Sequence, residues 1–287
     1  MSSIYNLKIF IQTNPQQELA AKVAAYSFIR YGFNNVELIK LHDVNLLKDK
    51  FGENYLRSGR IINYDQKDLQ SFTFLRFMPP KIHDDFCLVI DPDIFAVKDP
   101  SRMLEKYVNN KKSKIFCTKK NGIIRSEVII LNCKNFSLWN FNELIANIFS
   151  KKIDYNEIIN FEFLDPKLIG ELDENLNIWD DLNDSTILLH TTNRITQPWK
   201  EGLDIDFKYY ISKYNYFKNL VRKLFGSSYN YKIFEKKYQP HPNSKVLNFV
   251  EEMFKEAYIK NAITSEEIKL SLDNKYLSKI FIERLKI

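Results

Sequence analysis

The sequence predicts an α/β fold with an open mixed sheet flanked by helices and a C-terminal helical extension. First, short segments such as 86–90 and 127–132 are apolar on both faces, as expected for strands buried in a sheet covered on both sides. Second, these segments alternate with segments in which apolar residues have helical spacing. Third, helical patterns predominate after the main sheet region. We therefore divide the chain into a main domain, residues 1–206, and a C-terminal helical extension, residues 207–287.

The composition describes a globular chain of 287 residues with 45% hydrophobic and 27% charged residues. Only 7 glycines occur, and neither a P-loop nor a G-x-G-x-x-G motif is present. A bound phosphate therefore has to be held by a metal ion and by side chains. The net charge of +6 suits an anionic substrate or an anionic membrane surface. The sequence has no zinc-finger, RNA-recognition or helix-turn-helix motif, so we expect no nucleic-acid partner.

The cysteines and the N-terminus predict a cytoplasmic protein. Cys87, Cys117 and Cys133 each lie in or beside an apolar segment, and none forms a C-x-x-C pair, so we expect buried free thiols and a reducing compartment. The apolar segment 7–11 is too short for a signal peptide. No segment reaches the roughly 18 apolar residues that span a bilayer.

The N-terminal segment predicts a strand, a turn, a helix and a second strand. Residues 7–11 have the pattern of a strand, and the following Asn14 is a candidate N-cap with Gln17 completing a capping box. The helix is predicted to end at Gly32, and residues 36–41 predict the second strand. Such a unit usually begins an open parallel sheet, and it places the first loop at the carboxyl edge of the sheet, where ligands bind.

Two further segments, the first of them polar, follow this unit. Residues 42–66 are irregular, which predicts a long loop or short helices over the same edge of the sheet. Residues 68–78 predict a helix that ends at two prolines. Arg76 lies in this helix among apolar residues and needs an anionic partner, which is either a ligand or a carboxylate of the protein itself.

The segment Asp91-Pro92-Asp93 directly follows the apolar strand 86–90. Proline cannot extend a central strand, so the two carboxylates should lie at its carboxyl end. Residues two apart in extended backbone point to the same side, and two carboxylates 4 Å apart repel each other by roughly 4 kcal/mol at an effective dielectric constant of 20. A divalent cation removes that repulsion, and oxygen ligands suit Mg²⁺, Ca²⁺ or Mn²⁺. A turn with one capping and one solvated aspartate is the alternative.

The rest of the main domain should alternate between helices and strands. Helices are predicted over 101–108, 138–149 and 154–163, and strands over 114–118, 127–132 and 186–189. His190 follows the last strand as Asp91 follows its own. If both strand ends lie on one edge of one sheet, the imidazole joins the carboxylates around a divalent cation. A structural histidine is the alternative.

Two later segments carry many cations. Residues 191–200 contain hydroxyls, amides, Arg194 and Lys200, which suit phosphate and sugar oxygens, although such a loop is also compatible with plain solvent exposure. Residues 207–237 are rich in Lys, Tyr and Phe, which suits contact with an anionic membrane or a lipid-linked acceptor. A helical extension packed on the core with solvated lysines is the alternative. Beyond this segment, residues 246–258 predict an amphipathic helix, and one or two more follow from residue 265.

Five segments occur in an order typical of one enzyme family. They are Ile9-Phe10-Ile11 with Asn14, Thr73-x-x-Arg76-Phe77, Asp91-Pro92-Asp93, Ser126-x-Val128, and His190 with Pro198-Trp199-Lys200. Together, over roughly residues 7–206, they resemble the nucleotide-sugar-dependent glycosyltransferases of the GT-A fold, which is Rossmann-like, and most closely the family 8-like proteins.

The resemblance implies a sugar nucleotide, most simply a UDP-sugar, as the donor. Asp91 and Asp93 would bind Mn²⁺ or Mg²⁺ that bridges the donor diphosphate, and His190 would be the third protein ligand. Thr13 and Asn14 would lie against the nucleoside.

The same resemblance implies the catalytic groups. Arg76 would face the diphosphate or the donor sugar and act with Asp91 and Asp93, and Arg194 or Lys200 would contact a phosphate. The reaction would be hexosyl transfer with retention at the anomeric carbon. The acceptor would be a glycan, a lipid-linked molecule or a protein. The enzyme would meet this acceptor in the cytoplasm or, through peripheral contact, at the inner membrane face.

The sequence departs from the family pattern at two places. The family motif is His-x-x-Gly-x-x-Lys-Pro-Trp. In this chain, Asn193 takes the place of the glycine, and Gln197 precedes the proline instead of lysine. The usual Asp-Gln-Asp motif is missing, with Asp154-Tyr155 as a loose match. A non-catalytic nucleotide-sugar-binding protein and a nucleotidyltransferase on a similar fold are therefore the alternatives, and the released product distinguishes them.

Overall fold

The computed structural model describes residues 4–110, 113–120, 122–207 and 236–287. The strands in these ranges are β1 (Lys8–Thr13), β2 (Val36–Lys40), β3 (Asn54–Arg57), β4 (Arg60–Asn63), β5 (Phe86–Ile90), β6 (Ile94–Ala96), β7 (Ile115–Lys120), β8 (Ile123–Asn132), β9 (Ile169–Glu171), β10 (Ile178–Trp179) and β11 (Leu188–His190). The α-helices are α1 (Glu18–Ile29), α2 (Asn45–Lys48), α3 (Pro79–Ile82), α4 (Ser101–Val108), α5 (Phe141–Phe149), α6 (Tyr155–Ile159), α7 (Ser244–Ile259), α8 (Ser265–Asp273) and α9 (Lys279–Leu285).

A six-stranded mixed sheet forms the centre of the molecule, in the order β2-β1-β5-β8-β7-β9. The strand β1 pairs in parallel with β2 and β5, whereas β8 pairs antiparallel with β5 and β7. Helices cover both faces of the sheet, so the predicted α/β class with an open mixed sheet is confirmed.

The sheet separates two hydrophobic clusters because successive side chains of a strand point to opposite faces. In β1, Ile9 and Ile11 pack with α1, α7 and α9, whereas Phe10 packs with α5 and α6 on the other side. The strand β5 alternates in the same way. This double burial explains why these strands have no polar face in the sequence.

The three cysteines are buried and free, as predicted. The Sγ atoms of Cys87 and Cys133 lie 3.7 Å apart, and burial raises the pKa of the Cys87 thiol well above its usual value. The Cys87 thiol is therefore protonated, and both residues belong to the hydrophobic cluster on one face of the sheet.

The start of α1 differs from the prediction. Gln17 precedes the helix without a side-chain capping bond, and the amide of Asn14 bonds elsewhere. Residues 42–66 contain the short helix α2, as expected, but also an unpredicted hairpin of β3 and β4. The turn of this hairpin places Ser58 and Gly59 at φ values of 54° and 69°.

The predicted helix over residues 68–78 is wrong. Only the 3₁₀ segment Thr73–Phe77 forms there, and the two prolines begin α3 instead of ending a helix. Side chains take the carbonyl groups that a helix would have used: Asn14 Nδ2 donates to Leu69 O at 3.0 Å, and Tyr64 Oη donates to Ser71 O at 2.7 Å. Side-chain hydrogen bonds to these carbonyl groups compete with the hydrogen bonds of a helix.

The last predicted strand forms later in the chain than expected and in a different sheet. It comprises Leu188–His190 and belongs to a three-stranded sheet in the order β10-β11-β6. His190 pairs antiparallel with Ile94 of β6. The expectation that His190 and Asp91 end strands of one sheet is therefore wrong, and the turn between β5 and β6 joins the two sheets.

The C-terminal helices pack on the main domain. The predicted helix over 246–258 forms as α7, and α8 and α9 follow it. The ring of Phe254 in α7 stacks on Trp199 at 5.9 Å between centroids and meets Phe281 of α9 at 5.0 Å. In the described ranges, no helix is long and apolar enough to cross a membrane. Most of the segment 207–237, which we predicted to contact membranes, lies outside the described residues.

A short segment before α7 runs along the loop that follows β11. Tyr238 N donates to Leu203 O at 2.8 Å, Gly202 N donates to Tyr238 O at 2.9 Å, and Gln239 N donates to Ile195 O at 2.7 Å. We call residues 191–206 the wall loop and residues 236–243 the brace. These backbone hydrogen bonds cross the predicted boundary between the main domain and the extension.

Candidate active site

The turn between the two sheets carries both aspartates of the Asp-Pro-Asp motif. The strand β5 ends at Ile90 and β6 begins at Ile94, so residues 91–93 form the connection. Asp91 and Asp93 are buried, with 7% and 8% of their surface exposed. The Asp91 amide donates to Glu127 O at 3.1 Å, which fixes the turn against β8.

Asp91, Asp93 and His190 form a cluster in which one ligand atom from each lies within 4.8 Å of the others. His190 Nε2 lies 3.4 Å from Asp93 Oδ1, and His190 Nδ1 lies 2.9 Å from Asn177 Oδ1. Asn177 Nδ2 donates to Thr118 Oγ1 at 3.1 Å, so its oxygen faces the imidazole and accepts the Nδ1 proton. In that tautomer, Nε2 presents a lone pair to the carboxylates, as a metal-binding imidazole does.

Arg76 is the cationic partner of Asp91. Its Nε and Nη2 atoms donate to Asp91 Oδ1 at 3.2 and 2.8 Å, and Nη2 also donates to Asp91 Oδ2 at 2.7 Å. Its Nη1 atom donates to Ser126 Oγ at 2.7 Å. Burial opposes the charge on Arg76, but Asp91 and Glu127 outweigh it and raise the pKa of Arg76. The anionic partner that the sequence predicts for Arg76 is therefore a carboxylate of the protein itself.

The donor set fits a divalent cation of the Mg²⁺ or Mn²⁺ type. Asp91 Oδ1 also accepts from Gln12 Nε2 at 2.5 Å, whereas Oδ2 accepts from Arg76 alone among the described residues and keeps acceptor capacity. Asp93 Oδ2 accepts from Gln197 Nε2 at 3.1 Å, which leaves Asp93 Oδ1 toward His190. Oxygen ligands with one imidazole suit such ions.

Burial and charge set the protonation of the cluster. Burial raises the pKa of Asp91 to about 6, because Arg76 only partly offsets the loss of solvation and the Asp93 charge adds to it. Burial lowers the pKa of His190, but the carboxylate of Asp93 outweighs this effect and the net shift is upward. A bound cation would take the place of the proton that this cluster shares at mildly acidic pH.

The cluster opens into a cavity of about 300 Å³, which lies at the lower end of the size range of ligand pockets. Four arginines line it: Arg57, Arg76, Arg125 and Arg194. Arg57 donates to Gln70 Oε1 at 2.8 Å, and its guanidinium lies 4.1 Å from the Tyr155 ring centroid. Burial, together with the charge of Arg57, lowers the pKa of Arg194. An anionic ligand would relieve the repulsion between these two cations.

The structure brings some of the predicted site residues together and places others elsewhere. Arg76, Asp91, Asp93, His190 and Arg194 line the cavity, whereas Thr13, Asn14 and Lys200 do not.

The three residues outside the cavity are fully buried. Lys200 forms an ion pair with Asp206, and its Nζ lies 5.4 Å from the Tyr238 ring centroid. Thr13 Oγ1 donates to Asn14 O at 3.1 Å. The predicted contacts of Thr13 and Asn14 with a nucleoside and of Lys200 with a phosphate stay predictions.

Several site residues were not predicted from the sequence. They are Gln12, Arg57, Arg125, Glu127, Tyr155, Asn177, Trp179 and Gln197. Gln12 had a detectable signal, because it follows Ile11, which pairs with Ile90 in parallel register, and therefore faces Asp91 across the strand ends. The others depend on loop paths and strand register that the sequence pattern does not contain.

Comparisons with known proteins yield similarities of structure only. No protein-family model matches the chain, and no curated protein matches it. Among solved structures, the galactosyltransferase LgtC in complex with donor and acceptor sugar analogs is 13% identical, with 67% of this chain and 89% of that chain covered and a TM-score of 0.46. The glycosyltransferase GlyE of Streptococcus pneumoniae TIGR4 is 13% identical, with coverage of 83% and 66% and a TM-score of 0.47. Mouse xyloside xylosyltransferase 1 is 12% identical, with coverage of 65% and 98% and a TM-score of 0.43. Similarity at this level supports no conclusion about activity.

Proposed function

We propose that this protein is a metal-dependent glycosyltransferase that moves a hexosyl group from a UDP-sugar, or another nucleotide-diphosphate sugar, to an acceptor. The observation that carries the proposal is the convergence of Asp91, Asp93 and His190 at one end of a cavity with cationic walls. The ordered motifs in the sequence add the expectation of a family 8-like enzyme that retains the anomeric configuration. The acceptor is a glycan, a lipid-linked molecule or a protein.

The charge balance of the cavity favours a diphosphate. Four guanidiniums and three carboxylates line it, the latter from Asp91, Asp93 and Glu127. A divalent cation at the cluster therefore leaves a clear positive excess, which suits the two negative charges of a diphosphate diester. The excess is spread over the walls, so the ligand is held electrostatically even without a glycine-rich loop.

The residues of the chain have separable roles in this proposal. Asp91, Asp93 and His190 would hold Mn²⁺ or Mg²⁺, and that ion supplies Lewis-acid stabilisation of the departing diphosphate. Asn177 keeps the His190 ring in the ligating tautomer. Arg194 would add fixed positive charge in the cavity that receives the leaving group.

The test is the identity of the released product. Wild-type protein with Mn²⁺ and a panel of UDP-sugars should release UDP and transfer or hydrolyse the sugar, and chelation should abolish turnover. Asp93→Asn should lose turnover while keeping its melting temperature, and Asp273→Asn, at an exposed position in α8, should behave as wild type.

Other outcomes identify the alternatives. Release of pyrophosphate from a nucleoside triphosphate and a sugar phosphate would make the protein a nucleotidyltransferase. Metal-dependent binding of a UDP-sugar without turnover would make it a binding protein. Full turnover of Asp93→Asn in the presence of chelator would contradict the metal site.

We also propose a cytoplasmic location, with peripheral contact of residues 207–237 to the inner membrane face. The support is the density of Lys, Tyr and Phe in that segment. Such contact would bring the cavity close to a lipid-linked acceptor.

A further inference from the structure

The strand β8 carries a bulge beside the cavity. Cys117 of β7 pairs with Ile129, but the next residue, Thr118, pairs with Arg125, so residues 126–128 lie outside the β7 ladder. On the other side, the β5 ladder ends at Val128. Bulges redirect side chains and are frequent next to active sites.

The bulge brings two ionic side chains to the cavity, each with one buried polar atom that lacks a hydrogen-bond partner among the described residues. Arg125 and Glu127 both line the cavity. Within the described ranges, Arg125 Nε and Glu127 Oε2 are buried and have no hydrogen-bond partner. Ser126 between them bonds to Arg76 instead. Buried polar atoms without partners are costly, so an unpaired acceptor and an unpaired donor two residues apart in the chain, both lining one cavity, indicate a ligand that supplies a donor and an acceptor.

Glu127 differs from the other carboxylates of the cavity. Asp91 is held by Arg76, and Asp93 accepts from Gln197. Glu127 is also outside the cluster whose ligand atoms lie within 4.8 Å of one another. It is therefore available to a ligand but is not one of the three clustered groups that suit the cation.

The chemistry of this pair restricts the part of a ligand that can reach it. The negative charge of Glu127 repels a diphosphate and the positive charge of Arg125 disfavours a cation, so a neutral group that donates hydrogen bonds fits this part of the cavity best. The adjacent Arg125 guanidinium, which lies 4.8 Å from the Trp179 ring centroid, donates and needs an acceptor. Neighbouring hydroxyls of a sugar donate and accept at once, and so meet both requirements.

We propose that Arg125 and Glu127 form a subsite for a neutral sugar, in which the carboxylate accepts from and the guanidinium donates to adjacent hydroxyls of the donor sugar. This subsite rests on the proposed function, because the diphosphate bound at the cation cluster brings its attached sugar to the bulge. The pair makes the cavity selective for sugars with free hydroxyls and against sugars that carry a carboxylate.

The experiment compares UDP with UDP-sugars by isothermal titration in the presence of Mn²⁺. The probes are UDP, UDP-glucose, UDP-galactose, UDP-xylose and UDP-glucuronate. Wild-type protein should bind at least one neutral UDP-sugar more tightly than UDP, and UDP-glucuronate more weakly than that sugar. Glu127→Ala should lose about tenfold or more of the affinity for the preferred sugar nucleotide, and it should not weaken UDP binding by more than about twofold, because removing this carboxylate leaves the cavity more positive.

Two further variants complete the set. Arg125→Gln should lose more affinity for the preferred sugar nucleotide than for UDP, because its charge also belongs to the positive excess of the cavity, and Glu143→Ala, at an exposed position in α5, should change neither affinity. If thermal melting shows that Glu127→Ala is unfolded, Glu127→Gln replaces it, because it keeps the shape and removes the charge. We expect the same selective loss from it at a smaller size.

Three results would overturn the subsite. Equal loss of UDP and UDP-sugar affinity in Glu127→Ala would assign Glu127 to the nucleotide or the cation. If Glu127→Ala loses affinity for neither UDP nor the UDP-sugars, Glu127 does not belong to the site. If the wild-type protein binds none of the UDP-sugars more tightly than UDP, the subsite is also refuted. Absence of metal-dependent UDP binding by the wild type is a different result, which would overturn the proposed function and the subsite with it.

Discussion

Replacing Asp91 by asparagine should destabilise the protein even in the absence of metal. Arg76 is only 4% exposed, and it donates hydrogen bonds of 3.2, 2.8 and 2.7 Å to the Asp91 carboxylate. Asparagine keeps the size of the side chain but removes the charge, which leaves the Arg76 guanidinium buried without its counter-ion. Breaking one side of a buried ion pair costs about 3–5 kcal/mol. At about 2–4 °C per kcal/mol for a large domain, the melting temperature should fall by roughly 10 °C.

The matched control is Asp93→Asn. Asp93 accepts a neutral hydrogen bond from Gln197 at 3.1 Å, and its Oδ1 lies 3.4 Å from His190 Nε2, but no arginine of the described residues is paired with it as Arg76 is with Asp91. Its loss should therefore cost less, about 1–2 kcal/mol. Both variants should lose Mn²⁺ binding in isothermal titration, but in scanning calorimetry with chelator only Asp91→Asn should melt much earlier. Adding Arg76→Met to Asp91→Asn should recover part of the loss, because the unpaired charge is gone. Melting of Asp91→Asn within about 2 °C of wild type would refute the argument.

Three further predictions concern the metal site and the membrane. His190→Ala should weaken Mn²⁺ affinity, measured with UDP present, by at least about tenfold and leave the melting temperature nearly unchanged. Unchanged affinity with a lowered melting temperature would show that His190 is a structural residue. Metal affinity should fall as pH is lowered through about 6, because Asp91, with a pKa of about 6, and His190, with a raised pKa, take up protons that compete with the cation. Titrations at several pH values test this, and an affinity that is constant from about pH 8 to 5 would contradict it. The full chain should co-sediment with anionic phosphatidylserine vesicles at low salt through residues 207–237, and a chain that stays in the supernatant would exclude that contact.

The buried strands could be predicted because a strand buried on both faces is apolar at successive positions of the sequence. The segment that became β5 is apolar at every position, since one face of the sheet packs on α1 and the other on α5. Its end was marked by proline, and this was enough to locate Asp91 and Asp93. His190 was located by the same reasoning, although its strand pairs antiparallel with β6 in the second sheet. The turn 91–93 brings the groups together by a route that the strand pattern does not specify.

The rest of the site depends on contacts between distant segments. The segment 68–78 has helical spacing, yet Asn14 and Tyr64 occupy its carbonyl groups and prevent the helix. The roles of Arg125 and Glu127 follow from a bulge, which is a shift in the pairing of β8 with β7. The sequence of neither strand alone reveals such a shift. The hydrophobic pattern of a single segment predicts well which residues are buried, but it predicts poorly how that segment pairs with another.

The hydrogen bonds between the brace, residues 236–243, and the wall loop, residues 191–206, have a consequence for synthesis of the chain. The wall loop contributes Arg194 and Gln197 to the cavity, but the backbone groups that hold it are made some forty residues later. During translation, Asp91 and Asp93 leave the ribosome long before the brace exists. A nascent chain therefore contains the aspartates and three of the four cavity arginines early, but the side of the cavity that carries Arg194 is fixed only after the brace has been made, and full affinity for an anionic ligand should arise only then.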